Sequence, residues 1–281
     1  MEKKQLGYYL SFLFFLISCK VEDSDYWVMS LPKPWTLNKN QVTEVLSEFQ
    51  NKFPDFNERL KAINRWRIGT PYGLYVLGEE VEPDTDPLLR IDSSDCTVHV
   101  LTSLAFSSSS SWGEARKNMV KLHYKPDNDS RINPTYQSRW HFTSDRILNN
   151  PYTTDITRSV AQQNQLKSIK IILNKQHNGK EFLNINWTSD QLIYFIPTKN
   201  IDLSVLSNLP SVCGVAFVRS SYFEKGIVIA HEGVLIDNKD LIHASSNDKK
   251  TVSVEFFEYI KNSDGSPKFD GAIFYSFNEV N

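Results

Sequence analysis

The chain has 281 residues, of which 40% are hydrophobic and 12% aromatic. This is enough apolar material for one substantial hydrophobic core. The 31 basic side chains nearly balance the 33 acidic ones, and no stripe rich in Lys and Arg runs through the sequence. Composition and charge therefore exclude a nucleic-acid partner that would bind a basic surface.

The N-terminus has the features of an export signal. Lys3 and Lys4 precede an apolar stretch from Leu6 to Ile17, which is too short to span a bilayer as a helix and is typical of a signal peptide. The stretch continues through Leu-Ile-Ser into Cys19, a pattern typical of bacterial lipoproteins. We therefore expect cleavage before Cys19 and lipidation of its thiol. An ordinary signal peptide with an incidental cysteine is the alternative.

The predicted organisation follows from this signal. Acyl chains on Cys19 would anchor the exported protein to a membrane of the cell envelope. We expect the periplasmic face of the outer membrane. The predicted segments are a signal peptide (1–18), a lipid-anchored tether (19–36) and a single domain (37–281).

Helical spacing of apolar residues dominates the first half of the chain. Asn38 can cap a helix over about 40–53, and a second helix lies between Pro54 and Gly69. Two more are predicted at 96–106 and 112–122, and the sequence from 125 to 165 is polar and irregular.

The last third of the chain has the short apolar runs and turn residues of strands. Helices that precede mostly antiparallel strands predict an α+β fold. The predicted strands cover 167–174, 191–196, 213–219, 227–236, 240–245, 251–256 and 271–277.

Cys96 is the strongest candidate for a reactive residue. It opens an apolar helix, and two histidines twelve residues apart, His231 and His243, follow on predicted strands. A helix N-terminus and a neighbouring imidazolium can lower a cysteine pKa to roughly 3.5–7.5, which produces a thiolate nucleophile. An imidazole can then move the proton while a third polar group orients the ring. This set of residues predicts a cysteine hydrolase.

The loop between the two histidine strands determines whether the histidines can meet. A two-residue turn would put them on opposite faces of the hairpin, because side chains alternate along a strand. A three-residue loop at 237–239 instead pairs residue 233 with 243. His231 and His243 then become diagonal neighbours on one face. We therefore expect their ring nitrogens to lie close to hydrogen-bonding distance, with the Cys96 sulfur beside His231.

Two other roles for these residues are less favoured. A zinc site is a rival, but the sequence lacks the Cys-x-x-Cys and His-Glu-x-x-His spacings, so no metal or other cofactor is expected. A disulfide between Cys96 and Cys213 would consume the nucleophile. Cys213 also lies in an apolar strand, where a free cysteine behaves as a small hydrophobic residue.

Several motifs together resemble a known family. The sequence is similar to the NlpC-type papain-like cell-wall hydrolases, and in finer detail to their N-acetylmuramoyl-L-alanine amidase-like branch, over residues 40–280. The motifs that carry the resemblance are Gly69-Thr70-Pro71-Tyr72, Asp95-Cys96-Thr97, the segment 136–145 with Ser138-Arg139-Trp140-His141, Cys213-Gly214 before His231-Glu232-Gly233, and His243-Ala244-Ser245.

The resemblance implies a role for each matching residue. Cys96 would be the nucleophile, His231 the base and His243 its orienting partner. Tyr72 would lie beside the thiol and help to bind the carbonyl oxygen. Arg139 and His141 would contact substrate, although Arg139 could equally form a buried ion pair.

The resemblance also implies a substrate. Peptidoglycan fragments, in particular those with an anhydro sugar, would be cut at the amide between N-acetylmuramic acid and L-Ala. The aromatic and short polar residues of 125–165 suit a sugar. The sequence leaves two alternatives open: an endopeptidase that cuts between D-Glu and the diamino acid, and an inactive lipoprotein that binds muropeptides.

Departures from the family pattern motivate the inactive alternative. The branch has Thr, Phe and Glu where this chain has Val98, His99 and Leu101, and it usually has Trp at the position of Arg146. The Gly-Asp pair common in the wider superfamily is also missing at Cys213-Gly214.

Overall fold

The computed structural model of the chain describes residues 25–280. The predicted signal peptide and the lipidation site Cys19 lie outside these residues. Within the described range, no helix is both long enough and apolar enough to cross a membrane.

Four long helices form in the first half of the chain, close to their predicted positions. Side-chain caps define their starts: Asn38 and Gln41 form a reciprocal capping box, and the Asp55, Asp95 and Ser111 side chains each accept a first-turn N–H. Residues 25–30 are helical as well. The α-helices that follow are α1 (Lys39–Lys52), α2 (Phe56–Trp66), α3 (Cys96–Ser107), α4 (Trp112–His123), α5 (Thr143–Asn149), α6 (Thr157–Val160), α7 (Leu203–Ser207) and α8 (Phe256–Tyr259).

One antiparallel sheet of eight strands occupies the second half. Its order is β2-β3-β8-β4-β5-β6-β7, and β1 pairs with β8 beside this path. The α+β class predicted from the sequence is confirmed. The strands are β1 (Thr153–Asp155), β2 (Lys167–Leu173), β3 (Ser189–Pro197), β4 (Val212–Val218), β5 (Ile229–Ile236), β6 (Asp240–Ser245), β7 (Lys250–Glu255) and β8 (Gly271–Phe277).

The sheet is covered on both faces, which explains the continuous apolar run of β4. Val212, Ala216 and Val218 belong to the larger core cluster, shared with helices α1 to α4. Cys213 and Phe217 point to the other face and join a second cluster with residues of α7 and α8. A strand buried on both faces has no polar alternation.

Two predicted boundaries differ from the structure. The region 125–165, predicted to be irregular, contains α5, β1 and α6. Residues 25–36 of the predicted tether pack against the domain: Val28 is buried, and the Trp66 indole N–H donates to the carbonyl of Pro32 at 2.8 Å.

Candidate active site

Helix α3 begins at Cys96 because Asp95 caps it. One carboxylate oxygen of Asp95 accepts the N–H of Val98 at 2.9 Å, and the other accepts the N–H of Tyr75 at 3.0 Å. Because the Asp95 carboxylate accepts both hydrogen bonds, it holds the start of α3 against the loop that follows Tyr72. Cys96 therefore occupies the first turn, where unpaired N–H groups give the helix end a partial positive charge.

The hairpin β5/β6 brings the two histidines together as its loop length predicts. Residues 237–239 form the loop, with left-handed backbone at Asp237 and Asn238, and Val234 pairs with Ile242. In this register His231 and His243 are diagonal neighbours. His231 Nε2 lies 2.9 Å from His243 Nδ1, and the two rings are nearly perpendicular.

Gly233 makes room for this contact. It lies opposite His243 in the register, and a Cβ added at Gly233 would approach the His243 Cβ to 3.0 Å and the Ile242 carbonyl oxygen to 2.9 Å. Real Cβ atoms rarely come this close to a neighbour. Glycine therefore lets the His243 side chain lean towards His231.

The Cys96 thiol lies against the strand that carries His231. The backbone N–H of Glu232, the residue after His231, hydrogen-bonds to the thiol sulfur. Tyr72 and Tyr259 both interact electrostatically with Cys96. The thiol and these tyrosines therefore form one cluster at the start of α3, the Cys96 cluster. His231 is linked to it through Tyr259, whose ring centre lies 5.9 Å from that of His231.

The expected low thiol pKa is not found. Burial, followed by the carboxylates of Asp95 and Glu232, raises the pKa of the Cys96 thiol to about 12, although the residue keeps part of its surface exposed. The prediction of a preformed thiolate did not include these two negative charges. They raise the thiol pKa, whereas the helix N-terminus would lower it. Cys96 is a neutral thiol at neutral pH.

Both histidines are neutral as well. Burial lowers the pKa of His231 to about 3, with smaller contributions from His243 and Lys268. Burial also lowers the pKa of His243 to about 4, assisted by Lys268. A neutral imidazole has one nitrogen that donates and one that accepts. Where the Nε2–H of His231 donates to His243 Nδ1, the His231 Nδ1 lone pair remains able to take a proton.

A buried polar network behind the thiol was not predicted. Glu232 and Arg146 form an ion pair of 2.6 Å with both side chains almost fully buried. The same carboxylate accepts hydrogen bonds from Tyr275 at 2.6 Å and from Thr97 at 2.9 Å. Thr97 follows Cys96 directly, so Glu232 links helix α3 to strand β5, which carries His231.

This network accounts for two departures from the family pattern. Arg146, where the family usually has Trp, is the cation that compensates Glu232. Gly214 leaves space for Tyr275, since a Cβ there would lie 2.1 Å from the tyrosine ring. Glu232, a charged residue within the apolar run of β5, was the only local sign of this network in the sequence. Its partners lie 43 to 135 residues away along the chain.

His99 occupies the next turn of α3, fully buried. Burial and the nearby Arg67 lower its pKa well below the usual range. Arg67 donates to the His99 carbonyl at 2.6 Å and to the Ser103 hydroxyl at 2.8 Å. The Arg67 guanidinium therefore packs against α3 at His99, the position where the family pattern has Phe.

The three proposed substrate contacts have different surroundings. Tyr72 belongs to a turn that pairs with the start of β7, and burial and the Cys96 thiol raise its pKa. Arg139 forms ion pairs with Glu79 at 2.6 Å and with Asp84 at 2.9 Å. An ion pair was the alternative role that the sequence left open for Arg139. His141 hydrogen-bonds to the Tyr136 carbonyl at 2.6 Å. Neither Arg139 nor His141 has a described contact with the Cys96 cluster.

The remaining candidates are also accounted for. Cys213 is a free, fully buried thiol in β4, and Cys96 is also free. Within residues 25–280, no group of three or more His, Cys, Asp or Glu side chains is arranged to hold a metal ion. A cavity of about 280 Å³ lies elsewhere, between residues 25–33 and the strands β5 and β6.

Comparison with known proteins gives one family match. Residues 62–266 match the model of the family AmiA-like, described as N-acetylmuramoyl-L-alanine amidase-like. No curated protein matches the sequence.

Solved structures match the fold over most of the chain. Protein LPG0564 from Legionella pneumophila str. Philadelphia 1, of the family DUF1460, is 23% identical, covers 84% of this chain and 93% of its own, and has a TM-score of 0.69. An N-acetylmuramoyl-L-alanine amidase from Bacteroides uniformis ATCC 8492 is 21% identical, covers 79% and 99%, and has a TM-score of 0.60. A putative xylanase from Bacteroides fragilis is 21% identical, covers 77% and 99%, and has a TM-score of 0.57. At these identities the likeness demonstrates a shared fold.

Proposed function

Because the chain belongs to the AmiA-like, N-acetylmuramoyl-L-alanine amidase-like family, we propose that it is a cysteine amidase that releases the peptide from muropeptides. The bond cut joins the lactyl group of N-acetylmuramic acid to L-Ala. The observation that carries the proposal is the 2.9 Å contact between His231 and His243. His231 lies on strand β5, and the N–H of the next residue on this strand, Glu232, hydrogen-bonds to the Cys96 thiol. A papain-like site consists of Cys96, His231 and His243.

The neutral ground state defines the first chemical step. His231 takes the Cys96 proton at Nδ1 as the sulfur attacks the amide carbonyl, so thiolate and imidazolium form only during the attack. His243 accepts the Nε2–H of His231, which fixes the ring and its tautomer. Backbone N–H groups at the start of α3, with the Tyr72 hydroxyl, stabilise the negative charge on the carbonyl oxygen.

The second half of the reaction uses the same groups. The imidazolium of His231 returns its proton to the leaving amine of L-Ala, and the muramoyl group remains on Cys96 as a thioester. Water, deprotonated by His231, then attacks the thioester and frees the sugar acid and the thiol. No metal or other cofactor takes part in this scheme.

Export and anchoring belong to the same proposal. The apolar stretch Leu6–Ile17 and the sequence Leu-Ile-Ser before Cys19 support a lipidated N-terminus in the cell envelope. Peptidoglycan fragments would be encountered there. The intact mass of membrane-extracted protein tests this part: an unmodified N-terminus at another residue would refute it.

Digestion of defined muropeptides, analysed by mass spectrometry, tests the amidase assignment. We expect intact peptide beginning with L-Ala from disaccharide-peptides, no cleavage of the same peptide without sugar, and no product with Cys96→Ala. Cleavage of sugar-free peptide between D-Glu and the diamino acid would favour the endopeptidase alternative. Binding without turnover would favour the inactive lipoprotein.

A further inference from the structure

Two cations beside the histidine pair have no acidic partner. Lys268 Nζ lies 3.8 Å from the centre of the Tyr259 ring, and the Arg219 guanidinium lies 5.4 Å from the Phe269 ring. Both side chains are half-buried. Across residues 25–280, every carboxylate lies beyond ion-pair distance of these two groups. Asp248 acts on Lys268 only from a distance, and its carboxylate accepts the Ser245 hydroxyl at 2.6 Å.

Tyr259 connects these cations to the reactive cluster. Its ring centre lies 4.4 Å from that of His243 and 5.9 Å from that of His231. The hydroxyl of Tyr259 interacts electrostatically with both the Cys96 thiol and Arg219. Lys268 therefore lies over the ring of the tyrosine that borders the histidines.

The cations are held in place by rigid structure. The backbone N–H of Lys268 donates to the Ile260 carbonyl at 2.9 Å, and Arg219 donates to the Lys268 carbonyl at 3.2 Å. Phe269 stacks on Phe217 of β4 at 4.5 Å. A preformed pair of cations on aromatic faces can bind an anion with little loss of side-chain freedom.

The unpaired charges carry an electrostatic cost in the free protein. Burial and the like charge of Arg219 lower the pKa of Lys268. An anionic ligand would reverse this effect because it supplies the missing opposite charge. Lysine and arginine both form strong, charge-assisted hydrogen bonds with carboxylates.

The direction of the proposed reaction tells which half of the substrate lies here. His231 must lie beside the leaving amine to protonate it, so the peptide half extends from Cys96 towards the histidines. Lys268 and Arg219 are on that side. In a muropeptide the residue after L-Ala is D-Glu, linked through its side chain, so that its α-carboxylate is free.

We infer that Lys268 and Arg219 form a carboxylate subsite that recognises the acidic residue following L-Ala in the substrate. This inference rests on the proposed amidase function. It predicts that the enzyme distinguishes a free α-carboxylate at this residue from the corresponding amide, a difference of one charge with nearly the same shape.

The test uses two disaccharide-peptides that differ only in the D-Glu α-carboxylate and its amide. With the native protein we expect kcat/KM to be about tenfold higher for the carboxylate, the size expected of one charge-assisted hydrogen bond. Lys268→Met should bring this ratio close to one, mainly through KM. Lys225→Met is the matched control, because Lys225 also lies over a tyrosine, Tyr222, at 5.7 Å, and neither of the two has a described contact with His231 or His243. It should keep the native ratio.

Binding of the same two ligands to Cys96→Ala protein, with and without Lys268→Met, separates this inference from the amidase proposal. If the native protein cleaves neither compound, the amidase proposal fails, yet a carboxylate preference in binding that Lys268→Met removes would still support the subsite. Equal losses on both compounds, or an unchanged ratio in Lys268→Met, would overturn it. Thermal unfolding confirms that each variant is folded.

Discussion

The carboxylate of Glu232 accepts a 2.9 Å hydrogen bond from the hydroxyl of Thr97. The two residues are the direct neighbours of His231 and Cys96, so this bond fixes strand β5 relative to helix α3. Glu232 is thus a buried acid one residue away from a catalytic candidate. Arg146 compensates its charge at 2.6 Å.

Breaking this network at one partner should destabilise the protein strongly. Glu232→Leu leaves Arg146 buried without an opposite charge, which costs about 3–5 kcal/mol in the free energy of unfolding. Replacing both residues, in Arg146→Leu with Glu232→Leu, should cost clearly less than the sum of the single changes. Urea denaturation measures all three variants. Additive losses would show that the two residues are not energetically coupled.

Gly233→Ala tests the space beside His243. The new Cβ would come within 3.0 Å of the Ile242 carbonyl oxygen and approach the His243 Cβ, so we expect the hairpin to shift, with a loss of about 1–3 kcal/mol in stability and a larger loss of activity. Gly113→Ala in α4 is the control, since nothing lies within 4 Å of its Cβ. Equal activity of Gly233→Ala and the control would contradict the close approach of the histidines.

The raised thiol pKa predicts slow alkylation at neutral pH. In the Cys19→Ser background, iodoacetamide should modify Cys96 more slowly at pH 7 than it modifies a cysteine in an unfolded peptide, because the raised pKa leaves a much smaller thiolate fraction at Cys96. The rate should rise continuously from pH 7 to 10, below the folded pKa of about 12. Cys96→Ala protein gives the background from buried Cys213. Fast modification that is independent of pH near pH 6 would indicate a preformed thiolate.

The buried histidines predict acid sensitivity. In the folded state the pKa of His231 is about 3 and that of His243 about 4, whereas an unfolded histidine titrates near 6.5. The unfolded chain thus binds more protons between pH 6.5 and about 4, so the free energy of unfolding falls as the pH falls through this window. His243→Gln should flatten the slope, whereas exposed His177→Gln should leave it unchanged. Identical slopes in all three proteins would refute this assignment.

The sequence was sufficient for the parts of the fold that have local signals. Caps and helical periodicity predicted α1 to α4, and the length of the 237–239 loop predicted the register that joins His231 to His243. Strand β1 was missed because it has three residues and exists only through its pairing with β8. No local periodicity reveals such a strand.

The electrostatics of the site could not be obtained from the sequence. Its decisive groups are the carboxylate of Glu232, the cation of Arg146 and the hydroxyl of Tyr275, which come from three distant segments. Their proximity depends on tertiary packing. The prediction of a thiolate at Cys96 rested on the helix N-terminus and the histidines. It did not include the two carboxylates that the fold brings to the thiol.

The mass of the covalent intermediate tests the central claim most directly. A disaccharide-peptide is mixed with the protein, the reaction is stopped with acid within milliseconds to seconds, and the intact protein and its Cys96 peptide are weighed. We expect a thioester adduct on Cys96 with the mass of the muramoyl disaccharide, while the peptide beginning with L-Ala is already free. An adduct of L-Ala-D-Glu with its sugar still attached, or cleavage that persists in Cys96→Ala, would contradict the account.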